Sequence, residues 1–468
     1  MEGCGLKGRR MEGLRFLKEA RDFKESFEAR LSPLKELSPS KPFVYLSVGG
    51  GELGDLVVSA AKRLLGGPKG GVRTIVFDRY DGCPAQDVAD SFEGFDMMRG
   101  DLLEAQVRKY VPNPSEPHAI YLEIEKIDTR RMCELGIRYG YRVMSTPYGP
   151  LICMDRHLTK LMFDELKIPR LEWAYAESQR EIELIAEGFG LPVIVKPIMT
   201  SSGHGTSIVR TQEDLKKAYR YALEHARGIG DRVIVEKFLE DLKTKGTEIT
   251  QFVVRHFDDE GKIVTSVMPP VEHRRPGATY HESWMPATIS RKAIERCQES
   301  AKKIAEFIGG LGLYAVEQFV IGDEVYNNEV ANRPHDTGMV TRWTLNADEG
   351  AIQLISTIGL QVTPFDISPS RPGFFGVAHV ILAPDFEGEG EGEGGGNAER
   401  AVLGWKAKDV KDFMARRGYS GDVWYFGKPT AYPHRRMGLA VAFHEKLEEA
   451  RREAEEIAHY VEGKIIYS

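Results

Sequence analysis

The chain has 468 residues, of which 42% are hydrophobic and 28% charged, with a formal net charge of −7. That length exceeds one ordinary core and predicts two or three globular domains. No apolar run approaches the ~20 residues that cross a bilayer, residues 1–10 lack a secretory apolar segment, and the acidic balance gives no pull toward nucleic acid or anionic lipid. The expectation is a cytoplasmic protein with no nucleic-acid or membrane partner.

Residues 1–40 carry apolar side chains at helical spacing (Leu14, Phe16, Leu17, Phe23, Phe27) and end near a Ser-Pro-Ser-Lys-Pro stretch, so they predict an appended helical extension and linker. Phe43–Val48 is a buried-strand run, Gly49–Gly54 a tight turn, Asp55–Leu65 a helix, and Thr74–Phe77 and Ala119–Leu122 further strands. This alternation predicts an α/β fold whose first domain, residues 41–150, is a doubly wound parallel sheet. Strand runs at Pro192–Pro197 and Val233–Glu236 bracket a second α/β region within residues 151–365. Residues 366–468 form a smaller C-terminal part. Within it, residues 385–397 alternate Gly and Glu and predict a solvated loop. The last helix, about His444 to Lys464, is charged on most turns and packs by one face. Five scattered cysteines, Cys4, Cys83, Cys133, Cys153 and Cys297, contain no C-x-x-C pair and argue against a disulfide framework or a zinc site.

Gly49-Gly50-Gly51-Glu52-Leu53-Gly54 satisfies G-x-G-x-x-G, and Asp78 ends the next strand where a dinucleotide fold places its ribose-binding acid. Nothing downstream supports hydride transfer, so the glycines signal close backbone approach and NAD is set aside. A second loop has a different character. Lys196 ends a strand and is followed by Thr200-Ser201-Ser202-Gly203-His204-Gly205-Thr206, whose amides and hydroxyls suit phosphate oxygens, with the lysine as countercharge. Val235-Glu236-Lys237-Phe238-Leu239 resembles a hinge whose backbone could meet an adenine edge, and Glu248 could hold ribose hydroxyls. Glu317 and Glu329 stand 12 residues apart on strands flanking Gly322-Asp323-Glu324. Across a hairpin they face each other and can share a hard cation such as magnesium. Their neighbours Val316, Phe319 and Val320 are expected in the core.

The run Glu329-Val330-Ala331-Asn332-Arg333-Pro334-His335-Asp336-Thr337-Gly338-Met339-Val340-Thr341 resembles the signature of formate-dependent phosphoribosylglycinamide formyltransferases, members of the ATP-grasp superfamily. Gly51–Gly54, Asp78-Arg79-Tyr80, Glu123-Ile124-Glu125, Glu282-Ser283-Trp284 and Phe426-Gly427-Lys428-Pro429 fall in the same order as in that family, over about residues 41–460. The resemblance implies an ATP-grasp body with a mobile lid at residues 151–365. It also implies an ATP site at Arg156, Lys196, Ser201, Ser202, Gly203, His204, Gly205, Thr206, Glu236, Lys237, Phe238, Leu239 and Glu248. Magnesium would lie at Glu317 and Glu329. Glycinamide ribonucleotide would lie at Glu52, Leu53, Glu123, Asp336, Lys428, Arg435 and Arg436. His434, Arg435, Arg436 and Lys428 form a cationic cluster suited to a 5′-phosphate. The implied reaction activates formate with ATP as formyl phosphate, which the glycyl amine then captures, in a homodimer. The chain departs from the family at His204, where lysine is usual, at Asn332, where proline is usual, and in extra residues from Glu240 to Thr247. A related carboxylase acting on another carboxylate and ribonucleotide, and a nucleotide-binding protein without turnover, are the alternatives.

Overall fold

The computed structural model describes residues 4–200, 203–226, 232–275, 280–386 and 399–468. The first unit is a parallel sheet in the order Ser91–Gly94, Val72–Asp78, Phe43–Val48, His118–Leu122. Phe43–Val48, Val72–Asp78 and His118–Leu122 are mostly apolar and buried because helices such as Glu52–Leu65 cover them, whereas the edge strand Ser91–Gly94 is only half-buried. That helix buries Leu53, Leu56, Val57, Ala60 and Ala61 on one stripe and stops at Gly66, which is left-handed at φ 71°. Parallel strands bring their carboxyl ends to one edge, and Glu52 and Glu123 stand there.

A separate antiparallel sheet, in the order Trp173–Ala176, Val233–Lys237, Val193–Pro197, Ser207–Val209, encloses its own small core with the helices Gln179–Phe189 and Leu215–Glu224. Among the described residues the largest sheet has nine strands. It runs Glu324–Ala331, Gly312–Ile321, Gly246–Phe257, Val271–Arg274, Glu282–Met285, Phe375–Leu382, Arg436–His444 and Gly421–Tyr425, with Ile263–Val267 paired to the third of these. Strands from both sides of residue 365 therefore share one hydrogen-bonded ladder, through the pairing of Glu282–Met285 with Phe375–Leu382. The helix Glu349–Ile358 packs between this sheet and the helix Glu52–Leu65, joining it to the first unit.

The N-terminal extension is a helix, Cys4–Glu28. It buries Leu17, Ala20 and Phe27, the first two against Leu161, Phe163, Ile304 and Phe307. At its end Glu28 accepts a hydrogen bond from the Gly310 amide at 2.6 Å and pairs with Arg255 at 2.8 Å. The extra residues before Glu248 include a short helix, Asp241–Thr244. The last helix, Leu447–Glu462, buries Ala450, Ala454, Ile457, Ala458 and Val461 on one face. Most of the Gly/Glu-rich stretch lies outside the described residues. Among the described residues no helix is long and apolar enough to cross a membrane.

Candidate active site

The parallel sheet, the small antiparallel sheet and the largest sheet meet around a cavity of about 1230 Å³. Its floor is the large sheet, which contributes Glu329, Glu317, Glu248, His273, Trp284 and Arg436 from six of its strands. The first unit adds Glu52, Leu53 and Glu123, and the small sheet adds Lys196, Thr206 and Phe238.

Glu317 and Glu329 are direct partners across an antiparallel hairpin, with a bulge after Glu317. Arg156 opens the helix Arg156–Leu166, whose first amides are capped by Asp155. Its guanidinium grips Glu329 with two hydrogen bonds of 2.9 and 3.2 Å and donates a third, 3.0 Å, to Pro197 O. Glu317 stands 2.9 Å from His335 Nε2 and 3.2 Å from Arg275 Nη2. Burial opposes both charges, but Arg275 and His335 hold Glu317 well below the usual carboxylate range. Arg156 and Lys196 hold Glu329 down in the same way. Two ionised carboxylates on neighbouring strands therefore face one cavity. Among the described residues no group of three or more His, Cys, Asp or Glu could hold an ion. This donor set fits magnesium, which takes one or two carboxylates and completes its shell with phosphate and water oxygens. Phe319 differs from expectation: it shares the cavity face with Glu317 and lines the site, while Val316 and Val320 are buried.

At the small-sheet end, Lys196 Nζ lies 2.6 Å from Glu236 and donates 3.1 Å to Asn328 Oδ1. Gly203 and Thr206 line the cavity, whereas Gly205 packs in the left-handed region at φ 74° beside Pro197. His204 is exposed. Ser201 and Ser202 lie outside the described residues. The Glu236 side chain is fully buried and turned toward lysines, Lys237 points outward to Glu172 at 3.1 Å, and Leu239 is half-buried beside the cavity-lining Phe238. Burial pushes Glu248 up to about 7, with Arg275 opposing.

At the opposite end, Glu52 pairs with Lys428 at 3.1 Å, and Arg436 donates 2.7 Å to Asp336. Burial opposes the Glu52 charge, yet Lys428 and Arg436 hold its pKa down. Arg435 turns aside to Thr430, with contacts of 2.8 and 2.9 Å, and His434 is exposed beside Asp385. Glu123 is buried, and Glu52 and Asp78 add to burial in pushing it up to about 8. The glycine-rich turn makes room for this group: a Cβ on Gly51 would stand 2.9 Å from Glu123 Oε1, and Gly49 leaves no space for one at all. Asp78 accepts the Gly50 amide at 2.8 Å and the Arg79 amide at 2.6 Å, which makes it a clamp for this turn.

Known proteins resemble the chain in parts and as a whole. Residues 161–349 match the ATP-grasp domain, and residues 414–461 match a family described as PurT, C-terminal. A formate-dependent phosphoribosylglycinamide formyltransferase of Syntrophotalea carbinolica is 38% identical over 422 residues, covering 90% of this chain and 95% of that one. Its namesake in Sulfurisphaera tokodaii is 36% identical, covering 89% and 96%. The chain belongs to the formate-dependent phosphoribosylglycinamide formyltransferase family. Among solved structures, glycinamide-RNase-transformylase T from Mycobacterium tuberculosis superposes with a TM-score of 0.68 at 22% identity, covering 89% of this chain and 99% of that one. The Staphylococcus aureus N5-carboxyaminoimidazole synthetase complexed with ADP gives 0.71 at 18% identity, covering 92% and 99%. Both show the same fold.

Inside this formyltransferase framework, sequence reasoning missed several groups in and behind the cavity. Arg275 stands between Glu317 at 3.2 Å and Glu248 at 3.6 Å. His273 is buried with neither ring nitrogen hydrogen-bonded, and burial lowers its pKa to about 3. His335 links Glu317 to Asp336, 3.1 Å from its Nδ1. Lys160 reaches Glu236 from behind, at 2.5 Å. Lys160 alone carried a readable signal, as a charged residue before the apolar Leu161-Met162-Phe163 on a helix.

Proposed function

We propose that this chain formylates the amine of 5′-phosphoribosylglycinamide with formate, using ATP and magnesium, in purine synthesis. One observation supports this most directly. A single cavity joins the paired carboxylates, Arg156 and Lys196 at one end to Glu52, Glu123, Asp336 and Arg436 at the other, with Lys428 bonded behind Glu52.

In this reading Arg156, Lys196 and the 201–206 loop take the triphosphate, with the hinge at Glu236–Leu239 on the adenine edge and Glu248 on the ribose. Glu317 and Glu329 would hold magnesium, which neutralises triphosphate charge when bound. A formate oxygen attacks the γ-phosphorus, the bond to the β,γ-bridging oxygen breaks, and ADP leaves. The glycyl nitrogen, held by Glu52 and Asp336, then attacks the formyl carbon and expels phosphate, which takes the amine proton. Lys428, Arg435 and Arg436 supply charge for the ribonucleotide phosphate, and Leu53 and Glu123 complete its pocket. Formyl phosphate hydrolyses readily, so the small sheet closes over the site as a lid and excludes water. Residues 1–40 form an extension, 41–150 the first domain, 151–365 the ATP-grasp body with its lid, and 366–468 the C-terminal domain. The working form is a cytoplasmic homodimer.

The test is ADP release, expected only with formate and glycinamide ribonucleotide together and abolished in Glu317→Gln. Release driven instead by bicarbonate and an aminoimidazole ribonucleotide would redirect the substrate assignment. ATP binding without turnover for any pair would remove catalysis from it.

A further inference from the structure

Behind Lys196 lies a buried cluster with more charge than a nucleotide contact requires. Glu236 has no solvent exposure and sits between two lysines, Lys160 at 2.5 Å and Lys196 at 2.6 Å. The lysines also share Asn328: Lys160 donates 3.0 Å to its carbonyl, Lys196 3.1 Å to its side chain. They differ in access. Lys196 lines the cavity, whereas Lys160 is 1% exposed and does not. Two cations around one anion leave a single net positive charge, and only Lys196 can present it to a ligand. Without Lys160, the Lys196 charge would be neutralised by Glu236, and a phosphate would meet a buried carboxylate behind a cancelled cation. The place of Glu236 is fixed by its strand, Val233–Lys237, which leads into the segment beside the cavity.

We infer that Lys160 is a positioning residue that offsets the Glu236 carboxylate, so that the pair's remaining positive charge stands at Lys196 for nucleotide phosphate. This rests on the reading of Lys196 as a triphosphate ligand. Burial lowers the Lys160 pKa while Glu236 opposes the fall, and the two lysines, against burial, hold Glu236 down to about 2. The charges are thus mutually dependent.

Calorimetric titration of the full-length protein with ATP tests it. Removing a unit charge a few ångströms behind the phosphate weakens binding by about tenfold to a hundredfold at the effective dielectric of a partly buried site. Lys160→Met is therefore expected to weaken ATP by at least about tenfold and to raise KM for ATP, leaving KM for the ribonucleotide unchanged. Adding Glu236→Gln restores the single positive charge, and the double variant is expected to return to within about threefold of the parent. Should Lys160→Met fail to fold, Glu236→Gln alone decides the matter. With two lysines and no carboxylate it is expected to bind ATP more tightly than the parent and with a steeper salt dependence. Unaltered ATP binding in Lys160→Met, a double variant as weak as the single, or weakened binding in Glu236→Gln would each overturn the inference. Failure of the unaltered protein to bind ATP would instead strike the parent reading.

Discussion

Replacing Gly49 with alanine tests the link between the glycine-rich turn and the ribonucleotide pocket. Gly49 sits at φ 115°, donates its amide to Phe77 O at 2.8 Å, and accepts the Ser47 hydroxyl at 2.7 Å. An L side chain strains at that φ by about 1–3 kcal/mol. The new methyl would overlap the Glu123 carboxylate and stand 2.8 Å from Glu123 Cβ. Pushing a buried side chain aside adds about 1–3 kcal/mol, for a total of roughly 2–6 kcal/mol. The structure assigns that cost to two readouts. Thermal unfolding should shift down by several degrees. If even ~1.4 kcal/mol falls on ribonucleotide binding, its KM in a coupled ADP-release assay rises about tenfold, while KM for ATP stays within about twofold because the nucleotide end is untouched. Gly322 is the control: it lies at φ 60°, and a Cβ there would meet nothing within 4 Å, so Gly322→Asn should leave both constants alone. A Gly49→Ala enzyme with parental melting and ribonucleotide KM would refute the reasoning.

Glu123 also predicts a pH dependence. Its carboxyl titrates near about 8 in the fold against 4.5 as the ordinary value, so the native state binds the extra proton. Its stabilising contribution is complete below about 4.5 and is lost as pH rises through 8; urea midpoints should show a smaller drop from pH 5 to pH 8 in Glu123→Gln, and equal drops would contradict this. Leu17→Ala opens space in a fully buried contact and should cost about 2–5 kcal/mol in denaturant unfolding. An effect below about 1 kcal/mol would mean that the extension contributes little. His204→Lys adds fixed charge beside the phosphate loop and should lower KM for ATP by about two- to fivefold, most visibly at low salt; an unchanged constant would show that the loop's charge is not felt by the nucleotide.

What could be read from the chain depended on how far apart the partners lie. Phe43–Val48, Thr74–Phe77 and Ala119–Leu122 announce themselves as apolar runs, and each proves to be a strand of the parallel sheet. The pairing of Glu317 with Glu329 was legible because one short hairpin sets it. The contacts of Lys160 were not, since its backbone partner Asn328 is 168 residues away. Arg275 carried no local signal, and the pairing of Val271–Arg274 with Gly246–Phe257 brings it to the cavity. Phe319 was misjudged because local hydrophobicity does not say which face of a strand meets the core and which meets the site. The continuity of the large sheet past residue 365 escaped for a related reason. A Gly/Glu-rich interruption suggests separation, whereas Phe375–Leu382 precedes it and joins the earlier strands.

The helix Cys4–Glu28 depends on a partner far along the chain. Its final residue bonds to Gly310, 282 positions downstream. At ordinary elongation rates of about 5–20 residues per second, part of its apolar stripe waits roughly 15–60 s for Ile304 and Phe307 to be synthesised. During that interval the stripe is open to chaperones or to neighbouring nascent chains. Production yield should thus respond to translation speed.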